Sequence, residues 1–272
     1  MAEGICKRIL ADRGIKNIEC QSCGLGAFTG DTASPLAIEA TKEHGADISS
    51  HRSRQINQYI FDGTDLMVCM TARHKQAVMT LSPKFRIIVP EPEISDPYGG
   101  SKEIYKLCAE QIERFVAALI DSLTFEIVKM RPDHVKAIAK IEEQCFSSPW
   151  TEEGIAEEIE NENAHFLVAV AADKVIGYIG VHEVCGEAYI DNIAVSPDHR
   201  RLGIGEKLLK KAQQNAFSRG CEFISLEVRK SNSAAIFLYR KLGYENAGER
   251  KNFYTNPAED AVIMTLKECE SK

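Results

Sequence analysis

Several things are scarce in this chain, and each scarcity removes a class of function. The longest uninterrupted apolar run, Phe166 to Ala172, is far short of the roughly 20 residues needed to cross a bilayer as a helix. No basic segment followed by an apolar stretch opens the chain, so no secretory signal is expected. Positive charge is short too: 33 Lys and Arg stand against 40 Asp and Glu, a net charge of −7. Non-specific nucleic-acid binding, which needs a basic face, is therefore not expected, and the lean is toward basic peptides or proteins as partners. The nine cysteines are odd in number and scattered without a framework, which points to a reducing, cytoplasmic setting. There is no internal repeat, no low-complexity tract and no Pro- or Gly-rich linker. What remains is a 272-residue chain, 44% hydrophobic and 27% charged, long enough for two domains with real cores.

Patterning divides the chain near Leu123. The first part opens on a helix carrying Ile5, Ile9 and Leu10, with Gly14 placed to stop it. Ser34-Pro35 begins a second helix that ends at Gly45. Strands are expected over 65–70 and 85–89, with a helix from Ala72 to Leu81 between them. A long amphipathic helix follows over 101–120, with Ile104, Leu107, Cys108, Ile112, Phe115 and Leu119 on one face. This alternation implies an α/β domain with a parallel sheet. From Phe125 the texture changes: a strand to Met130, helices over 132–145 and 151–161, then strands over 165–171, 175–183 and 187–195. Turns are expected at Asp173-Lys174 and Cys185-Gly186. Domains over 1–122 and 123–272 are expected.

In the first domain, CQSCGLGAFTGDTASPLAIEATKEHGADISSHRSRQI, DLMVCMTARHKQAV and SDPYGGSKEIYK together resemble the low-molecular-weight protein tyrosine phosphatase family, most closely its bacterial protein-arginine phosphatase branch. The resemblance implies a three-layer parallel-sheet fold, a Cys-x5-Arg phosphate loop ahead of a Ser-Pro-Met-Ala-Glu run, and Asp96 as general acid. The given sequence begins at that Met-Ala-Glu, so the first strand and the loop are expected to be missing, either through a start codon placed too far downstream or through real loss. Cys6 and Arg13 are separated by six residues rather than five and fall in a helical pattern, so they do not replace the loop. Cys20-x-x-Cys23 has no second ligand pair and reads as a strand end and turn, His74 as a solvated helix position. No metal site is expected.

In the second domain, DNIAVSPDHRRLGIGEKLLKKA places a strand, a basic loop, a glycine pair and a helix in that order. Gly203 and Gly205 let the backbone come close to an anion, and a helix start offers unpaired N–H groups. The stretch resembles the R/Q-x-x-G-x-G/A motif of the GNAT acetyltransferases. ISLEVRKSNSAAIFLYRKLGY, with SSPW at 147–150 and RKNFY at 250–254, closely resembles the RimI-type ribosomal-protein-alanine branch of that family. The resemblance implies a mixed-sheet fold, acetyl-CoA as cosubstrate and the N-terminal alanine of a ribosomal protein as acceptor. By position it makes Glu227 the proton acceptor, Tyr239 the proton donor and Asn232 a CoA contact. Ile193, Ala194 and Val195 then receive the pantetheine arm, and Arg201, Leu202, Gly203, Ile204, Gly205 and Glu206 form the pyrophosphate loop.

The residue types suit the reaction. An α-amine with a pKa of about 7.7–8.0 is partly neutral at pH 7, whereas a lysine at about 10.4 is not, so a carboxylate base suffices for an N-terminal substrate. Taken singly, Glu227 at a strand end is more often a solvated or paired acid, Tyr239 reads also as a half-buried packing residue, and Trp150 as core or as a wall near the peptide. Two other readings stay open: a small-amine acetyltransferase, and a docking module attached to an acetyltransferase.

Overall fold

The computed structural model describes residues 1–82 and 86–268. It forms two compact units, Met1–Ile120 and the remainder from Asp121.

In the first unit, helix α1 (Ala2–Asp12) buries Ile5, Ile9 and Leu10, and Gly14 follows at φ +64°. Helix α2 (Pro35–Glu43) starts as its sequence dictates: the Ser34 hydroxyl accepts from the Ala37 N–H, proline holds the first position, and Gly45 turns the chain at φ +71°. A short helix α3 (Gln58–Asp62), capped by Asn57, was not foreseen from the pattern. Strand β1 (Met67–Val68), helix α4 (Ala72–Leu81), strand β2 (Ile87–Ile88) and helix α5 (Lys102–Thr124) complete the set. The expected strands thus shrink to a two-stranded parallel ladder, Met67 opposite Ile87 and Val68 opposite Ile88. Of the second expected strand, Phe85 lies outside the described residues.

The face of α5 differs from expectation. Ile104 and Leu107 are 50% and 56% exposed, while Tyr105, Cys108, Ala109, Ile112, Val116 and Ile120 are buried against Ile5, Ile9 and Ala40. A helix that is apolar around most of its circumference has two neighbouring stripes about 100° apart. Here Tyr105 and the small Ala109 choose the seam that lets α1 and α2 come close.

The second unit is a seven-stranded mixed sheet. Its strands are β3 (Glu126–Lys129), β4 (Leu167–Ala171), β5 (Lys174–Val184), β6 (Glu187–Val195), β7 (Phe223–Arg229), β8 (Glu245–Thr255) and β9 (Ala258–Lys267). Their order is β3-β4-β5-β6-β7-β9-β8, and only β6 and β7 run parallel. The two expected hairpins form, the second with positive φ at Cys185 and Gly186 as expected and the first one residue earlier than expected, at Ala172 and Asp173, with Lys174 already in β5. Helices α6 (Val135–Cys145) and α7 (Glu152–Glu157) cover one face. Helices α8 (Ile204–Ser218) and α9 (Ser233–Lys241) cover the other. Side chains along β5 serve both cores by alternation: Ile179 and Val181 join Leu208 and Leu209, while Tyr178 joins Ile138 and Phe166. Among the described residues, no helix is long and apolar enough to cross a membrane.

Candidate active site

The sheet is incomplete at its centre, and the site is built around that gap. The parallel ladder between β6 and β7 runs from Glu187–Phe223 to Ile190–Leu226 and stops there. Beyond it β6 continues to Val195, paired with β5 on its other edge: Asn192 opposite Gly180, Ile193 opposite Ile179, Ala194 opposite Tyr178 and Val195 opposite Gly177. Residues 191–195 therefore turn a backbone edge toward a widening splay. Such an edge fits an extended chain carrying amide groups. At the splay the register with β5 slips by one residue between Gly180 and Val181, leaving Asp191 as the extra residue of a bulge.

At the far end of β6, Pro197–His199 forms a single 3₁₀ turn and leads into α8. Arg201 at φ +64° and Gly203 at φ +85° are both left-handed, and Gly203 caps α8 without any side-chain acceptor. The first N–H groups of a 15-residue helix thus point into a concave loop, an arrangement that suits a phosphate. A Cβ on Gly203 would meet nothing within 4 Å, so the space over the loop is open. The Glu206 carboxylate is taken by Lys210 at 2.8 Å and Lys241 at 2.6 Å, so only its backbone N–H is left for a ligand. Leu202 and Ile204 are buried and anchor the loop. The loop is tied down further where His199 Nε2 meets the buried Asp121 at 2.9 Å and the Lys207 ammonium donates to the Ser122 carbonyl at 3.5 Å.

On β7, Leu226 and Val228 point into the core beneath α8, so Glu227 between them faces the opposite, open side. Its carboxylate lies 3.3 Å from Arg250, and its carbonyl accepts from the Tyr254 hydroxyl at 3.2 Å. Tyr239 is 5% exposed in α9, with its ring edge-on to Tyr244, and burial pushes its phenol above the ordinary range. It is therefore protonated at neutral pH. Asn232 caps α9 by accepting from the Ala235 N–H at 3.1 Å, so a ligand contact would fall to its Nδ2.

The structure also brings in residues that the motifs did not mark. Glu142, fully buried, accepts from the Tyr178 hydroxyl, from Asn192 Nδ2 at 3.1 Å and from the Trp150 N–H at 2.9 Å. Burial raises its pKa, and those three donors work against the rise. This network fixes the Ser-Ser-Pro-Trp segment against the bulge, and Trp150 packs partly buried beside Phe166 at 6.0 Å. Arg229 stacks 4.2 Å over the Tyr254 ring and donates to the carbonyls of Asn256 at 2.8 Å and Pro257 at 3.0 Å. It thereby holds the tip of the β8–β9 hairpin. His182 lies between Asp191, at 2.6 Å from Nδ1, and Glu158, at 2.9 Å from Nε2. Desolvation works to lower the His182 pKa, but the two carboxylates outweigh it and leave the pKa raised. No sequence signal marks these groups, because their partners stand on other elements and meet them only through the fold.

In the first unit, Asp96 is exposed and its carboxylate accepts from the Tyr98 N–H at 3.0 Å, closing a turn. The one Cys-x5-Arg spacing in the chain, Cys108 to Arg114, lies within α5 and cannot form a loop. Cys20 hydrogen-bonds to Cys6 rather than pairing with Cys23. No cluster of three or more metal-ligating side chains occurs among the described residues.

Comparisons with known proteins match two families along the chain. Residues 135–244 match the acetyltransferase (GNAT) family, and residues 1–129 match the low molecular weight phosphotyrosine protein phosphatase family. A Bacillus subtilis protein, named as a candidate ribosomal protein bS18-alanine N-acetyltransferase, is 40% identical over 136 residues, 50% of this chain and 90% of that one. The Escherichia coli ribosomal protein bS18-alanine N-acetyltransferase is 35% identical over 142 residues, 52% of this chain and 95% of its own length. The crystal structure of the E. coli ribosomal-protein-S18-alanine N-acetyltransferase superposes with a TM-score of 0.50 at 33% identity, covering 55% of this chain and 99% of that one.

Proposed function

The chain belongs, through its second half, to the ribosomal-protein-alanine N-acetyltransferases of the GNAT family, and from that premise we propose that it transfers the acetyl group of acetyl-CoA to the N-terminal alanine of a ribosomal protein. Enzymes of this family use acetyl-CoA. The residues here suit it: a free backbone edge at Ile193, Ala194 and Val195 for the pantetheine amides, and the loop Arg201–Glu206 for the pyrophosphate. The observation that carries the reading is Glu227, an acid on the open side of β7 at the point where the β6–β7 ladder ends.

In the reaction we assign, the α-ammonium loses its proton to Glu227, directly or through water, and the neutral amine attacks the thioester carbonyl. The carbon–nitrogen bond forms, the carbon–sulfur bond breaks as Tyr239 donates a proton to the departing sulfur, and the nitrogen's second proton leaves to solvent, from which Tyr239 is reprotonated. Trp150 and the β8–β9 hairpin, each held by its own hydrogen-bond network, form the walls of the acceptor site. The first unit we assign as a phosphatase-like domain without phosphatase activity in the chain as given, since no cysteine in it lies in a Cys-x5-Arg loop.

Presenting labelled acetyl-CoA with alanine-starting peptides and a panel of small amines tests the assignment. Preferential labelling of the peptides at the α-amine is the expected result. Labelling of small amines alone would transfer the protein to an amine-detoxifying class.

A further inference from the structure

The bulge in β6 points to a second acid at the acceptor site. The β6–β7 register pairs Tyr189 with Ser225 and Ile190 with Leu226 and ends there, so Asp191 and Glu227 are the next residues of the two strands. They stand where the strands begin to part. Both lie on the side away from the core that holds Ile190, Leu226 and Val228. Glu227 comes to the splay from β7 and Asp191 from β6. Asp191 is also held from behind: His182 on β5 binds it at 2.6 Å, and Glu158 at the end of α7 holds the other ring nitrogen at 2.9 Å. Asn161 steadies Glu158 at 2.8 Å. With His182 protonated, two carboxylates and one imidazolium leave one net negative charge at the mouth of the splay.

Resting on the amine-acceptor reading, we propose that Asp191 receives the substrate's α-ammonium group before Glu227 takes its proton, and that His182, gripped by Glu158, is its positioning residue. An amine arrives at neutral pH mostly charged, since its pKa is about 7.7–8.0. A base alone binds it only on the way to deprotonation. A second carboxylate holds the charged form and lets Glu227 act on an amine already in place. The two acids thus divide the work, Asp191 taking capture and Glu227 proton removal.

Two measurements on the full-length protein test this. The first is calorimetry at pH 6.5 with CoA present, comparing an alanine-starting peptide with the same peptide Nα-acetylated. The wild type should prefer the free ammonium by about 10- to 100-fold, the span of a charge-assisted hydrogen bond. Asp191→Asn should abolish that preference and His182→Gln should reduce it. The second is steady-state kinetics, where Asp191→Asn should raise KM for the peptide by a similar factor while kcat and acetyl-CoA affinity hold. Asp191→Glu, which keeps the charge, should retain part of the preference and covers the case in which Asn impairs folding. Equal wild-type affinity for both peptides, or a full preference retained in Asp191→Asn, would overturn the proposal. If the wild type acetylates only small amines, the ribosomal-protein reading falls. The Asp191 proposal is then decided by the same comparison between an amine and its uncharged alcohol analogue.

Discussion

A single charged or buried side chain in this protein has its meaning set by what stands beside it. Glu227→Gln should lower turnover by roughly 10²–10⁴, the usual contribution of a positioned acid or base, without loss of acetyl-CoA affinity. Tyr239→Phe should lower it similarly, since burial keeps that phenol protonated and ready to donate. His182 makes a stability prediction with a definite sign. Its folded pKa is raised, so its contribution is complete below the unfolded value of about 6.5 and is lost as pH rises through the folded value. Thermal melts should therefore separate wild type from His182→Gln most widely at pH 5–6 and bring them together in alkali. A gap that widens with pH would refute the assignment of His182 as the cation between Asp191 and Glu158.

At the scale of elements, the α8 N-terminus and the β8–β9 hairpin carry the sharpest expectations. Gly203→Ala should cost about 1–2 kcal/mol through its left-handed backbone alone, and should weaken acetyl-CoA binding measured by calorimetry. Arg229→Ala removes the cation over Tyr254 and the donors to Asn256 and Pro257. It should loosen the hairpin tip, seen as faster proteolysis there, and raise KM for peptide acceptors. Elements marked by local chemistry could be read in advance. Ser34-Pro35, Gly45, Asp173 and Cys185-Gly186 each fix a φ or supply a cap within a few residues. The Gly203–Gly205 loop was legible for the same reason. The exposed side of α5 was misjudged because Ile104 and Leu107 fit a helical stripe as well as Tyr105 and Ala109 do. Only the packing of α1 and α2 decides between them. Asp191, His182, Glu142 and Arg229 were invisible for a related reason: the β5–β6 bulge, the packing of α6 on the sheet and the β8–β9 hairpin, none written in local pattern, give them their partners.

For the whole molecule, the two units carry separate expectations. The chain as given should hydrolyse neither phosphotyrosine nor phosphoarginine, a result read directly with chromogenic and peptide phosphoesters. A shortened chain beginning at Asp121 should keep acetyl-CoA affinity, whereas one beginning at Phe125 should bind it more weakly, because the Asp121–His199 and Ser122–Lys207 contacts that hold the loop are gone. The central claim is that the splay of β6 and β7 is an acetyl-transfer site whose base is Glu227. Its most direct test is the rate of label transfer from acetyl-CoA to an alanine-starting ribosomal peptide, in wild type and in Glu227→Gln at matched acetyl-CoA occupancy. The account predicts transfer to the α-amine by the wild type and a loss of at least about a hundredfold in the variant; equal rates in the two proteins would contradict it.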